Sequence, residues 1–361
     1  MKILIVQDTL RSGGTERQSI LLANAFAAAG QPTTLLTFRP GGALGHTVAP
    51  AVTRRVLQPF DLGLDWFAPR LVATARDCAP DVILCMGRMA NCHGWRLGAV
   101  APTVATMRTG KSLPWLFRRT LRTAVHVVAN SAEARDSLVN RSLVAPPQVS
   151  VIHNSLVFPP TSALRRNQAL RSEFGASATT TVLLSVAMFR REKNQRELIE
   201  IAGGLPEQLD WQLWLAGDGP ERSACERLAT ARGLGSRIKF PGFHANPTPL
   251  YCAAELAVHA SWSEALSNFL IEAQAHGLLA VAYEAQGIRE CFVPGRTGWA
   301  LPREDRAAFR ATLSRRISEP AIARAERSAD AQAFARQTFD PARQVASYLE
   351  LFTRLTTHPR P

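Results

Sequence analysis

At 361 residues, 46% hydrophobic and 20% charged, the chain has ordinary globular composition. It is too long for one core and predicts two domains, and no apolar run reaches the roughly 18 residues of a spanning helix. The net charge of +13 is concentrated at the front: residues 1–178 hold 20 Lys/Arg against 9 Asp/Glu, and residues 179–361 hold 22 against 20.

The opening apolar run, residues 1–6, is too short for a signal peptide and lacks a small-residue cleavage site, so it reads as a buried first strand. A polar loop, 7–14, leads to a helix over 15–29. Ile20, Leu21, Asn24, Ala25 and Ala28 share its expected face, and Gly30 ends it. Strands follow at 33–38, 82–86, 102–107 and 124–129, with a helix over 71–78 and Ser131 as the N-cap of another. After a short strand at 149–152, the polar, turn-rich stretch from 158 to about 179, with Pro159-Pro160, reads as a linker. Strand and helix then alternate again. Strands are expected at 182–186, 211–216, 238–240, 256–259 and 279–283, and helices at 195–202, 221–232 and 247–252. Such alternation predicts an α/β fold of two doubly wound, Rossmann-like domains facing across a cleft, with ligands at the carboxyl ends of the strands. Their expected extents are 1–165 and 166–337, with a C-terminal helix, about 338–361, crossing back to the first. The six cysteines (78, 85, 92, 225, 252 and 291) show no CxxC pair and no metal-finger spacing, so buried or free thiols in a reducing cytosol are expected.

No acid occurs from residue 82 to 132, where Arg88, Arg96, Arg108, Lys111, Arg118, Arg119 and Arg122 accumulate. The segment 111–119 mixes these cations with Leu113, Trp115, Leu116 and Phe117, a composition suited to an anionic membrane surface. Nucleic acid ranks below it, because no binding motif is present, and an arginine-rich composition with no partner is the plain alternative.

Several loops carry chemistry-bearing residues at strand ends. Arg11-Ser12-Gly13-Gly14-Thr15-Glu16-Arg17 opens the first helix, and its glycines allow a phosphate close to the helix N-terminus. It is neither GxGxxG nor a P-loop, which argues against a dehydrogenase. Met188-Phe189-Arg190-Arg191-Glu192-Lys193-Asn194 brings cations suited to a diphosphate leaving group. Ala216-Gly217-Asp218-Gly219-Pro220 reads first as a tight turn, with nucleotide contact secondary. Lys239-Phe240-Pro241-Gly242-Phe243 ends a strand whose exposed backbone suits a base. Finally, Glu264 and Glu272 flank Ser267-Asn268, an expected helix start. A helix N-terminus between two carboxylates suits a ligand bearing both phosphate and hydroxyls, and a capped surface helix is the bland alternative.

In order, these loops resemble glycosyltransferase family 4, retaining enzymes of the GT-B fold that use nucleotide sugars. Gly287-Ile288-Arg289-Glu290 and Gly295-Arg296-Thr297-Gly298 resemble the family's closing segments. The resemblance spans nearly the whole chain and is most specific over about residues 180–300. It implies that the second domain binds a UDP- or GDP-type donor, with Glu272 on the ribose and Glu264 on the transferred sugar. It further implies backbone contacts to phosphate at Leu266, Ser267, Asn268, Gly13 and Gly14, donor contacts at Gly217 and Phe243, and Lys193 with Arg190 on the leaving diphosphate. Arg108 and Lys111 would lie on the acceptor side. No divalent metal and no other cofactor is expected. The implied acceptor is lipid-linked or surface polysaccharide, at the inner face of the cytoplasmic membrane.

The chain departs from the family pattern at Ala187-Met188, Ala265, Ser155, Gln286 and Arg108, which stands where many members have histidine. Arg190 or Arg191 would replace the arginine missing at Met188. His93 and His126 read as structural or surface residues. The departures keep open a nucleotide-sugar-binding protein without transfer activity, and a GT-B nucleotide-sugar epimerase is the other alternative.

Overall fold

The computed structural model describes residues 1–11, 13–160 and 164–357. Ser12 of the first glycine loop and residues 161–163 of the expected linker lie outside the described residues. The chain divides into two compact units: residues 1–155 with the chain from Pro341 onward, and residues 156–340.

The first unit contains β1 (Ile3–Gln7), α1 (Gly14–Ala28), β2 (Thr33–Thr37), β3 (Thr53–Val56), α2 (Leu71–Asp77), β4 (Val82–Cys85) and α3 (Arg88–Leu97). It continues through β5 (Thr103–Met107), α4 (Trp115–Thr123), β6 (His126–Ala129), α5 (Ala132–Asn140) and β7 (Val149–Val151). The strands form one parallel sheet in the order β3-β2-β1-β4-β5-β6-β7. Helices cover both faces, so β1, β4 and β5 are buried at every position and read as continuous rather than alternating apolar runs. Edge strand β3, Thr-Arg-Arg-Val, is exposed throughout, and its apolar signal is correspondingly absent.

The burial of α1 differs from the expected face. Gln18, Ser19, Ile20, Leu22, Ala23 and Phe26 are buried, whereas Ala28 is exposed. The reason is a second neighbour, the C-terminal helix, here α13 (Pro341–Thr357). Its Tyr348 and Phe352 set their rings 6.1 and 5.8 Å from that of Phe26. A contact made more than 300 residues later leaves no periodicity in α1 itself.

The second unit contains α6 (Gln168–Glu173), β8 (Thr181–Val186), α7 (Gln195–Ala202), β9 (Trp211–Ala216), α8 (Arg222–Ala231), β10 (Ile238–Gly242) and α9 (Thr248–Tyr251). It closes with β11 (Leu256–His259), α10 (Asn268–Ala275), β12 (Leu279–Tyr283), β13 (Gly298–Leu301), α11 (Arg306–Ile317) and α12 (Ala321–Thr338). Its parallel sheet runs β10-β9-β8-β11-β12-β13.

Two expected boundaries move. The division falls after Ser155, not residue 165, because Leu156 lies in the second core and its N–H donates to the Phe339 carbonyl at 3.1 Å. The C-terminal helix begins at Pro341, after a break at Phe339-Asp340. Ser155 itself sits in a buried polar knot of the first unit. Its hydroxyl donates to Gln344 Oε1 at 2.7 Å, and Gln18 Nε2 donates to its carbonyl at 2.7 Å. This gives the serine that replaces the family glycine a specific partner.

The expected linker holds a helix. α6 is capped by Asn167, whose side chain accepts from Leu170 N, and it is anchored by Arg171, which is fully buried. The Arg171 guanidinium donates to the carbonyls of Ala253, Ser177 and Thr180 at 2.7, 2.7 and 2.5 Å, and to Glu255 at 3.1 Å. Glu255 in turn accepts the Val182 N–H of β8 at 2.7 Å. A polar anchor looks like a surface residue in the sequence, which is why the helix reads as linker. All six cysteines are unbridged thiols, four of them fully buried.

Removing the Arg171 cation leaves Glu255 and three carbonyls without it in the interior. Arg171→Met is therefore expected to destabilise the protein by about 3–5 kcal/mol, read as a lower urea midpoint.

Candidate active site on the second unit

The strand order of the second sheet reverses between β8 and β11, and the carboxyl ends flanking such a reversal are where open parallel sheets bind ligands. Loop 187–194 leaves β8 there, and loop 260–267 leaves β11. The loops are tied together at one carbonyl: Glu192 O accepts from Ser261 Oγ at 3.0 Å and from Trp262 N at 3.2 Å. A 3₁₀ turn over Arg191–Lys193, ended by Asn194 in the left-handed conformation, carries Lys193 next to the second loop.

There, Lys193 Nζ lies 2.5 Å from Glu264 Oε1, and His259 Nε2 lies 2.9 Å from the same oxygen. His259, the last residue of β11, is buried against Phe269 of α10. One carboxylate oxygen thus takes both donors. Oε2 has no hydrogen-bond partner among the described residues, and the side chain keeps a tenth of its exposure. Burial opposes ionisation of Glu264, but the Lys193 charge, followed by the His259 bond, outweighs it and holds the carboxyl at about 2. The group is an anion at any working pH, with one oxygen fixed and one open.

Ser267 caps α10 by accepting the Leu270 N–H, as the sequence predicts, and Ala265 and Leu266 before it are buried. Gly287 shapes this entry. Its φ is +74°, and a Cβ there would strike the Ala265 carbonyl. Glu272 stands on α10, and its Oε2 accepts the Tyr251 hydroxyl at 2.7 Å. Tyr251 is stacked on His276 with ring centroids 4.6 Å apart. Asn268 is the first residue of α10.

The other expected site residues divide by role. Gly217 is turned inward: its φ is +133°, its N–H donates to Gly242 O at 2.7 Å, and a Cβ would strike the Ala187 carbonyl. It packs the end of β9 against loop 187–194. Phe243 is 56% exposed beyond β10, and Met188 and Trp262 are exposed at the ends of β8 and β11. Arg190 and Arg191 are exposed and make no ion pair among the described residues, so Lys193 is the cation of this loop that meets Glu264.

In the first unit, Gly13 is the N-cap of α1, and the Glu16 carboxylate folds back over it. Arg108 donates to Asn154 Oδ1 at 2.5 Å and to the Tyr348 hydroxyl at 3.3 Å, joining the end of β5 to α13. Lys111 is exposed. His93 and His126 make structural bonds, to the Trp66 carbonyl and to Ser150 Oγ.

His259 and Tyr251 escape sequence reasoning. Each is an ordinary residue at the end of an element, and only the fold sets His259 against Glu264 and Tyr251 against Glu272. Among the described residues, no group of three or more His, Cys, Asp or Glu is arranged to hold a metal ion.

Two parallel sheets with flanking helices, and a charged cluster at the reversal of the second, are the architecture of the GT-B fold. The model for glycosyl transferases group 1 matches residues 167–337, and that for Glycosyltransferase Family 4 matches residues 12–156. LpsE of Rhizobium meliloti, a lipopolysaccharide core biosynthesis glycosyltransferase, is 28% identical over 86% of this chain and 88% of its own. LpsD of the same organism, with the same description, is 27% identical over 95% of each. The solved structure of Anabaena HepE in complex with UDP matches the fold with a TM-score of 0.80, over 98% of this chain and 100% of that one, at 24% identity. The chain belongs to glycosyltransferase family 4.

The depressed Glu264 carboxyl stabilises the fold above the ordinary carboxylate range, and that contribution is lost as pH falls toward 2. In Lys193→Met the carboxyl rises, because burial is then opposed mainly by His259. The loss is expected at higher pH, measured by urea unfolding from pH 3 to 7. An unchanged pH profile would show that the Lys193 charge does not hold Glu264 ionised.

Proposed function

We propose that this glycosyltransferase is retaining and metal-independent, and that it moves a sugar from a nucleotide-sugar donor to a lipid-linked or surface-polysaccharide acceptor. The observation that carries this reading is Glu264, on the loop that enters α10: its Oε1 is held by Lys193 and His259, while its Oε2 has no hydrogen-bond partner among the described residues. An ionised carboxylate with one open oxygen accepts hydrogen bonds from sugar hydroxyls. The positive end of α10, with the backbone at Leu266, Ser267 and Asn268, suits the diphosphate. Glu272, which accepts the Tyr251 hydroxyl, is the carboxylate we assign to ribose hydroxyls. HepE structures with UDP and with UDP-glucose support a nucleotide-sugar donor of this class, and the names of LpsE and LpsD support the acceptor class.

In the proposed reaction the bond from the anomeric carbon to the diphosphate oxygen breaks, and negative charge grows on that oxygen. The Lys193 ammonium and the α10 dipole stabilise it, which is the work a divalent cation would otherwise do. The acceptor hydroxyl attacks from the same face, and its proton passes to the departing phosphate oxygen. The configuration is retained without a protein nucleophile. Gly13 and Gly14 of the first unit would meet phosphate only if the Glu16 carboxylate moves aside. The basic stretch around Lys111 would hold the enzyme at the inner face of the cytoplasmic membrane.

A panel of UDP- and GDP-sugars is expected to contain a donor that raises the melting temperature. Glu272→Ala is expected to weaken that donor by about 1–3 kcal/mol in calorimetry. Lys193→Ala is expected to lower turnover more than donor affinity, and a chelator is expected to leave turnover unchanged. Full turnover in Lys193→Ala would remove the leaving-group role, and binding without transfer to any acceptor would favour a sugar-nucleotide-binding protein.

A further inference from the structure

The cluster at Glu264 draws its members from different kinds of element. Glu264 lies on the loop that leaves β11, and Lys193 on the 3₁₀ turn that follows β8. His259 alone belongs to the sheet. It is the last residue of β11, a strand flanked by β8 and β12, and its Cα partner on β12 is Ala282. Its side chain is buried, and the Phe269 ring of α10 packs on the imidazole with centroids 5.8 Å apart. A group carried on a paired strand is held more precisely than one on a loop, so it fixes the position of what it bonds.

Glu264 Oε1 meets Lys193 Nζ at 2.5 Å and His259 Nε2 at 2.9 Å. A carboxylate oxygen has two lone pairs, so these two donors fill Oε1 and leave Oε2 as the oxygen that can meet a ligand. The donors are not equivalent. Lys193 is 27% exposed, its ammonium rides on a flexible four-carbon stem, and it has three N–H groups of which Glu264 takes one. It is able to shift toward an incoming anion. His259 offers one N–H from a short, packed side chain and cannot follow. No other hydrogen bond to its ring occurs among the described residues.

We propose that His259 is a positioning residue for glycosyl transfer: it holds Glu264 in register with the sheet while Lys193 turns to the diphosphate of the donor. The inference rests on the roles proposed above for Glu264 and Lys193. With Lys193 as its sole partner, the carboxylate would be tied to the same cation that the leaving group needs. A move of the ammonium toward phosphate would then drag Glu264 with it or leave a buried carboxylate without a donor, which is costly. Two donors separate the tasks. The imidazole keeps Oε1 fixed, so the cation serves the phosphate and Glu264 stays on the sugar. His259 reaches the donor only through Glu264, so its loss lowers turnover and spares the affinity for the nucleotide.

Two measurements test this. In protein carrying isotope-labelled histidine, nuclear magnetic resonance resolves the rings of the eight histidines, and the signal missing from His259→Gln is that of His259. It is expected to carry its proton on Nε2, the form that donates to Glu264. A proton on Nδ1 alone overturns the proposal, because Nε2 would then face the carboxylate as a second acceptor. The second measurement follows UDP release from UDP-glucose, with UDP affinity from calorimetry beside it. His259→Leu is expected to lower turnover by about ten- to a hundredfold while UDP affinity stays within about twofold of the parent. His259→Gln, whose amide donates from close to the Nε2 position, is expected to recover most of the turnover. Parental turnover in His259→Leu overturns the proposal. So does an equal loss in both variants with an equal fall in melting temperature, which would make the residue structural only. A parent that releases no UDP from UDP-glucose counts against the donor reading, and the ring spectrum then decides for His259.

Discussion

One carboxylate oxygen organises the second unit. Glu264 Oε1 receives Lys193 from the loop after β8 and His259 from the end of β11, so the ion pair closes over the point where the strand order reverses. A buried carboxylate without partners would protonate or be expelled. Lys193 and His259 keep Glu264 ionised in a site where its second oxygen has no partner among the described residues. The neighbouring features serve this pair. The Glu192 carbonyl ties the two loops, Gly217 lets the end of β9 pack against the first of them, and Gly287 lets the closing segment press on the second.

Polar anchoring recurs wherever the chain changes course. Arg171 and Glu255 bind α6 to the edge of β8, and the Gln18–Ser155–Gln344 knot binds the chain where it leaves and re-enters the first unit. In each case buried donors meet buried acceptors, so the arrangement specifies geometry as much as it adds stability. Two departures from the family pattern are explained by these contacts. Ser155 uses its hydroxyl on Gln344, and Arg108 spends its guanidinium on Asn154 and Tyr348. Nothing in the structure explains Met188 in place of the family arginine.

Much of the architecture was legible from pattern alone. Apolar runs such as Ile-Leu-Ile-Val and Val-Ile-Leu-Cys announce buried parallel strands, since both faces of such a sheet are covered. Ser267 announces the start of α10, because a hydroxyl beside an apolar run caps unpaired N–H groups locally. Exposed β3 and short α6, anchored by an arginine, lack an apolar stripe and were not legible, and in α3 and α4 the stripe, which includes Phe117 and Leu121, was hidden among the arginines of the basic stretch.

Local chemistry therefore carried the strands, the cap of α10, the order of the loops and the pairing of Glu264 with Glu272 on either side of a helix start. Those features depend on residues a few positions apart, and their signals survive in one dimension. The partners of Glu264, the bond from Tyr251 to Glu272, the inward turn of Gly217 and the internal use of Arg108 arise between residues far apart in the chain. They exist because parallel strands bring distant loops to one sheet edge, and no spacing within a loop encodes which neighbour it will meet.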